Sequence, residues 1–319
     1  MQHEIAPIPV RPWTLNGISE RMIVSHYEHE YGAAVRTLNA VQAELAALPA
    51  GTPGHRLRAL KHEELSAMGS VALHELYFGS LGGEGNRVPD PARHVLEEHF
   101  GSVPAWRREF AAAAQSLAGG SGWALLTYSR RHRRFWIQIA ADHAQAAVDA
   151  SPVLVLDMYE HAYHIDFGAN ATAYIDAFLR NVDWAAVVQR MDAVRGDRAV
   201  PRDDSSDQSL PSLSVEELAA RLATGERVQV IDARPRHHIS RTVDLMEGAT
   251  WRDPDRVEEW IDQIAADRPV AVYCAYGFHV GCNVTRALRE RGLDARYVRG
   301  GVSAWYAAGG PRAMRPAAE

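Results

Sequence analysis

LDMYEHAYHIDF, residues 156–167, sets an aspartate, a glutamate and two histidines directly after the apolar run of SPVLVLD. An ionisable group carried into a core is costly unless it is paired, hydrogen-bonded or bound to a metal, so this stretch needs partners elsewhere in the chain. VLVLD reads as a strand that delivers Asp157. Just upstream, GGSGWALLTYSRRHRRFWIQIAAD (119–142) reads as strand, basic turn, strand, which makes a small, mostly antiparallel sheet. Further upstream, SHYEHEYGAAVRTLNAVQAELAALP (25–49) carries apolar residues at three- and four-residue spacing. It predicts a long helix with Ser25 as N-cap, His26 in the first turn and Pro49 as the stop. A second helix runs through LRALKHEELSAMGSVALHELYFGSL (57–81) and carries His74 on an apolar stretch. ATAYIDAFLRNVDWAAVVQRM (171–191) predicts one closing helix. Two long helices followed by a sheet with helices is an α+β arrangement.

The whole chain has 319 residues, 47% hydrophobic and 23% charged. At roughly 150 residues per domain, that length suits two domains, each large enough to bury a core. The formal net charge of -6 argues against general nucleic-acid binding, because phosphate backbones attract basic surfaces. No apolar run reaches membrane-spanning length, and MQHEIAPIPVRP lacks the pattern of a signal peptide, so the expected compartment is the cytoplasm with no membrane partner. Two cysteines, Cys274 and Cys282, exclude a disulfide scaffold and leave room for a reactive thiol. VRGDRAVPRDDSSDQSLPS (194–212) has almost nothing to bury and reads as an exposed linker. The boundaries are therefore 1–195 for a first domain, 196–211 for the linker and 212–319 for a second domain.

His26, His74, Asp157 and His161 offer three imidazoles and one carboxylate, a set suited to iron or manganese with a position left open for a small ligand. Spacing alone leaves other readings open. A histidine on an apolar helix face is commonly a hydrogen-bonded core residue, and EHAYH is open to misreading as a zinc-protease variant. RRHRR (130–134) could attract an anion, or be a solvated hairpin turn.

DMYEHAYHIDF resembles the D-x-W-E-H-A-Y-Y signature of iron and manganese superoxide dismutases, and GSGW (120–123) matches a second stretch of that family. VSHYEHEYGAAVRTLN aligns without gaps on the family's H-H-x-x-H-H-x-x-Y-V-x-x-L-N helix, and LHELYFGSL is similar to N-H-S-L-F-W-x-x-L. The resemblance covers about residues 5–195. It implies a helical hairpin plus a three-stranded antiparallel sheet with helices, and one iron or manganese ion per chain. It places the four ligands on His26, His74, Asp157 and His161, and implies superoxide as the small-molecule substrate. It also places Glu160 on the glutamate that hydrogen-bonds a ligand histidine of the other subunit, which implies a homodimer. Trp123, Tyr159, His143 and Glu30 fall around the ligands. His143 sits near the place where some family members supply a group that bonds the metal's water.

Departures accompany the matches. Ala34 stands where the family has a gating tyrosine, and Glu30 where that gate has its histidine partner. Phe78, Tyr159 and Leu125 replace tryptophans that wall the pocket. These changes imply a wider pocket and altered proton delivery.

In the second region VQVIDAR and PVAVYC read as buried strands, and the latter leads through AYGFHV into a helix, GCNVTRALRERG. A cysteine at a strand end, beside a helix N-terminus, sits among backbone N–H groups that are expected to lower its pKa. Residues from about 210 to 312 resemble rhodanese domains: VIDARP matches V-x-D-x-R, CAYGFH matches C-x-x-G-x-R, and YVRGGVSAWYAAGGP matches L-x-G-G-x-x-A-W-x-x-x-G-x-P. The resemblance implies an α/β fold, with Cys274 as a sulfur-carrying nucleophile in a loop of Ala275, Tyr276, Gly277, Phe278 and His279, supported by Asp232 and Arg234. His279 replaces the loop arginine, which weakens the case for thiosulfate and leaves the sulfur donor and acceptor open. Cys282 reads as packed core.

Three functions follow as expectations: superoxide removal with a persulfide-handling partner domain, metal-dependent oxidation of an organic or sulfur substrate in a widened pocket, or a non-catalytic redox or persulfide sensor.

Overall fold

The computed structural model describes residues 2–196 and 210–314. The described chain forms two compact units, residues 9–196 and residues 2–8 with 210–314. Most of the expected linker lies outside the described residues. The N-terminal boundary differs from expectation. Residues 2–8 belong to the second unit, where Ile5 and Ile8 are buried and the Ile5 N–H donates to Glu216 Oε1 at 2.9 Å.

The first unit opens with α1 (Glu20–Ser25), which passes through a π-helical turn, His26–Tyr31, into α2 (Gly32–Ala46). Ser19, not Ser25, is the N-cap, its side chain accepting from the Met22 N–H, so His26 lies inside the helix rather than in its first turn. The apolar periodicity already begins at Met22 and Ile23, both fully buried. α3 (Gly54–Phe78) packs against α2, and α4 (Asp90–Phe100) and α5 (Val103–Gln115) follow. The sheet comprises β1 (Trp123–Ser129), β2 (Arg134–Ala140) and β3 (Ala150–Asp157), antiparallel in the order β2-β1-β3. Pro152, which lacks an N–H for the ladder, lies on the edge strand β3 beside a register shift at Leu126/Thr127. After α6 (His164–Phe167), the single closing helix expected from the sequence is two: α7 (Ala171–Arg180) and α8 (Trp184–Arg195). Asp183 divides them, accepting from the N–H groups of Ala185 and Ala186 as the cap of α8.

The second unit runs β4 (Ser212–Leu213), α9 (Val215–Ala223), β5 (Gln229–Asp232), α10 (Arg236–Ile239), β6 (Asp244–Met246), β7 (Thr250–Trp251), α11 (Val257–Trp260), β8 (Val270–Tyr273), α12 (His279–Glu290), β9 (Ala295–Val298), α13 (Gly301–Ala307) and β10 (Arg312–Met314). Five strands make a parallel sheet in the order β4-β9-β8-β5-β7. Buried on both faces, β8 reads VAVY without polar alternation, as central parallel strands do. Ile231, Val270, Val272, Val284, Leu288 and Ala295 form its core with Trp260 and Ile261.

Candidate metal centre and cysteine loop

The antiparallel register brings three distant segments to one end of the first sheet. Trp123 begins β1 opposite Asp157, the last residue of β3, and opposite Ala140, the last of β2. The loop after β2 then carries His143 to the same end, and the Trp123 indole N–H donates to His143 Nδ1 at 3.1 Å. Gly69 on α3 makes room for that loop, since a Cβ there would lie 1.9 Å from the His143 carbonyl oxygen. The two helices supply the rest: His26 from the π-helical turn and His74 from α3, both 1% exposed.

Around Asp157 the four predicted ligands converge. Asp157 Oδ2 lies 3.1 Å from His26 Nε2, 3.1 Å from His161 Nε2 and 3.7 Å from His74 Nε2. One donor atom from each residue lies within 4.8 Å of the others. Hydrogen bonding does not account for this cluster. His26 Nε2, though close to Asp157, lacks hydrogen-bond alignment, and together with His26 Nδ1 and His74 Nε2 it is buried without a hydrogen-bond partner. Orphaned lone-pair nitrogens aimed at a carboxylate oxygen are what a cation would satisfy, so these residues fit iron or manganese.

Charge at the site follows from burial. Desolvation pushes His74 down to about 3 and lowers His26, which keeps both neutral and able to ligate. Burial alone would raise Asp157, but the His161 hydrogen bond and the nearby His26 imidazole outweigh it and hold the carboxyl well below its usual range. Burial would lower His161, yet its bond to Asp157 wins and raises it. His74 Nδ1 donates to the Ser70 carbonyl at 2.8 Å, which leaves the lone pair of Nε2 available to a cation.

The surrounding predicted residues fall into two groups. Tyr159 stacks between His143 (4.9 Å, 8°) and His161 (5.3 Å, 12°). Phe78 lies 5.1 Å from the His26 ring, and Leu125 and Ala34 are buried. Glu30 Oε2 lies 3.7 Å from His161 Nδ1. Glu160 is exposed on the short helix Glu160–Ala162 and is not among the residues gathered here. Sequence reasoning missed the Ser70 carbonyl, the Tyr77 ring 4.9 Å from His26, and Tyr31, whose hydroxyl donates to Glu75 Oε1 at 2.9 Å. Ser70 and Tyr77 stand four residues before and three after His74, the helical-neighbour spacing that could have found them.

In the second unit Cys274 follows β8 directly and is buried, as is Cys282 on α12. Gly277, at φ +77°, sits so close to Gly300 that a Cβ would lie 2.4 Å from its backbone nitrogen. That glycine lets the loop fold back over the sulfur. Tyr276 is buried, Ala275 and Phe278 are half-buried, and His279 is exposed at the start of α12. The expectation of a lowered thiol pKa is corrected by the structure. Burial pushes Cys274 up, against backbone hydrogen bonds from Gly281, Gly277, Tyr276 and Phe278 that favour the thiolate. Sγ also lies 3.9 Å from the Phe278 carbonyl, an acceptor for the S–H. Because only the thiolate attacks, alkylation of Cys274 by iodoacetamide is expected to keep accelerating past pH 9.0, the ordinary thiol value. A rate that levels off near neutral pH would contradict this.

The family model for the C-terminal domain of iron/manganese superoxide dismutases matches residues 90–190. An iron superoxide dismutase of Cupriavidus metallidurans is 48% identical over 194 residues, covering 60% of this chain and 98% of that protein. The chain belongs to the iron/manganese superoxide dismutase family. An iron enzyme of Aquifex aeolicus is 34% identical over 60% of this chain and 92% of its own length. A manganese enzyme of Haloferax volcanii is 33% identical over 58% and 92%. The rhodanese-like domain model matches residues 214–308, so this family member carries a second, rhodanese-like domain. Among the described residues, no helix is long and apolar enough to cross a membrane.

Proposed function

We propose that the first unit is an iron- or manganese-dependent superoxide dismutase and that the second handles persulfide sulfur through Cys274. The observation that carries the first part is the convergence of three imidazole nitrogens and one carboxylate oxygen on a single point, two of the nitrogens being buried without hydrogen bonds. Bound there, iron or manganese would supply one-electron chemistry between its +3 and +2 states. Asp157 and His26, His74 and His161 would hold it. Ser70, through Nδ1 of His74, fixes which nitrogen ligates. Since His143 Nδ1 accepts from Trp123, its proton sits on Nε2, where a neutral imidazole can lend a hydrogen bond or a proton to product peroxide. Burial lowers the pKa of His143 and favours that neutral form.

A second reading, oxidation of an organic or sulfur substrate, draws support from Ala34. At this position the side chain carries no proton to donate, and the Glu30 carboxylate is set to repel an anion. Pulse-generated superoxide decay with metal-loaded, full-length protein tests both. We expect the second-order rate to fall about tenfold or more below the diffusional ceiling of about 10⁸–10⁹ M⁻¹s⁻¹. A metal-replete protein with no superoxide turnover would sink the dismutase reading in favour of the second.

A further inference from the structure

We propose that residues 2–8 form a strap that holds the Cys274 loop closed, so that this N-terminal segment is a positioning part of the sulfur site. The inference rests on the reading that Cys274 handles sulfur. HEIAPIPV (3–10) places prolines at 7 and 9, which bias the residues before them, Ala6 and Ile8, towards extended backbone. Three residues per turn in such a chain put Ile5 and Ile8 on one face. That face is the buried one: Ile5 is 6% and Ile8 2% exposed, whereas Glu4 and Pro7 are exposed. An extended segment makes no hydrogen bonds to itself, so its N–H groups need outside acceptors. Ile5 finds one in Glu216 Oε1 at 2.9 Å, in the first turn of α9. The strap then reaches the cysteine loop through a single turn. Pro7 Cα and Cβ lie 3.5 and 3.6 Å from the point that a Gly300 Cβ would occupy, an ordinary van der Waals separation. Gly300 in turn is the residue against which Gly277 of the loop closes. The residues that follow hold the first two carbonyls of the loop: the Val302 N–H donates to Cys274 O at 2.9 Å and the Ser303 N–H to Ala275 O at 3.0 Å. The loop therefore closes on the Gly300 turn, and Pro7 packs on that turn. Ile5 and Ile8 keep Pro7 in place, so weakening their hold should let turn and loop open together.

The test compares full-length wild type with Ile8→Ser, Ile8→Val and Pro7→Gly, using mass spectrometry to follow iodoacetamide alkylation of each cysteine at one pH. Cys282, buried on α12 of the same unit but outside the loop, is the internal control. Ile8→Ser and Pro7→Gly are expected to quicken alkylation of Cys274 about 5- to 30-fold, the change in an opening equilibrium that a small loss of contact produces, with Cys282 unchanged. Pro7 is exposed, so its replacement leaves the core of the unit intact. Ile8→Val, which keeps most of the apolar surface, should stay near wild type. An unchanged Cys274 rate in both Ile8→Ser and Pro7→Gly overturns the proposal. So does a quickening of Cys274 and Cys282 by the same factor in both, the mark of a general loosening of the unit. Incubation with inorganic polysulfide tests the underlying reading separately: the Cys274 thiolate attacks a sulfane sulfur, leaving Cys–S–S⁻ and a polysulfide dianion one sulfur shorter. Wild type that gains no sulfur at Cys274 overturns that reading, and is distinguishable because the alkylation ratio is measured without polysulfide.

Discussion

His74→Ala is expected to release the metal while leaving the first unit folded. Losing a group that merely orients a ligand weakens metal binding about 10- to 100-fold, so losing a ligand itself should exceed about 100-fold. The remaining three donors would enclose a buried opening, and the Ser70 carbonyl would lose its imidazole partner. Elemental analysis after dialysis against a chelator measures the loss, and near-wild-type metal content in the variant would show that His74 is not a ligand. The metal-free protein offers an independent check with a definite sign. Burial holds His74 near 3 against an ordinary 6.5, so the unfolded chain binds a proton that the folded chain refuses. The stability due to neutral His74 is complete above about pH 6.5 and drains away as the pH falls towards 3. His26, also lowered by burial, contributes with the same sign. Apo His74→Ala should therefore lose stability more gently than apo wild type across that window. Equal slopes in urea titrations at several pH values would show that His74 is not buried neutral.

The clustering of the four proposed ligands was legible in the sequence because each sits in a motif long enough to align, and Asp157 and His161 share one motif around the β3 end. The sheet was legible because Gly-rich and basic turns bracket its strands. What stayed hidden depends on contacts between elements. Ser25 offers a cap by composition, yet Ser19 caps the helix because Met22 and Ile23 are already in the core. The split between α7 and α8 at Asp183 is a capping event inside a sequence whose periodicity hardly falters. α4 and α5 were not anticipated, although Pro at the start of each and Ser102 before the second are ordinary start signals. The Cys274 pKa was misjudged because sequence shows the N–H groups and the helix dipole but not the depth of burial that outweighs them. The approach of Glu30 Oε2 to 3.7 Å from His161 Nδ1 was invisible because the π-helical turn is a feature of packing rather than composition.

Asp232→Ala is expected to destabilise the second unit by about 3–5 kcal/mol, the usual cost of stranding one member of a buried ion pair. Arg234 Nε donates to Asp232 Oδ1 at 3.1 Å and to Oδ2 at 2.9 Å, and Nη2 donates to Oδ2 at 2.6 Å. The two side chains are 1% and 0% exposed, so screening by water does not discount the pair. Nη2 also donates to the Asp244 carbonyl at 2.6 Å, which ties β5 to β6. Removing the aspartate leaves a guanidinium in the interior with one neutral acceptor. Removing both partners in Asp232→Ala/Arg234→Met takes away the stranded charge, and the double variant should be less unstable than the sum of the single ones. The effect should reach the cysteine loop through the sheet. Asp232 pairs with Tyr273 across β5 and β8, and the Ala233 N–H donates to the Tyr273 carbonyl at 2.8 Å, one residue before Cys274. Alkylation of Cys274 should therefore quicken in Asp232→Ala as the strand beneath the loop loosens, with the double variant intermediate. Urea unfolding followed in the second unit gives the stability term. A loss in Asp232→Ala smaller than about 1 kcal/mol, the scale of an exposed pair, would show that water reaches the guanidinium and that the V-x-D-x-R element is not a buried brace for Cys274.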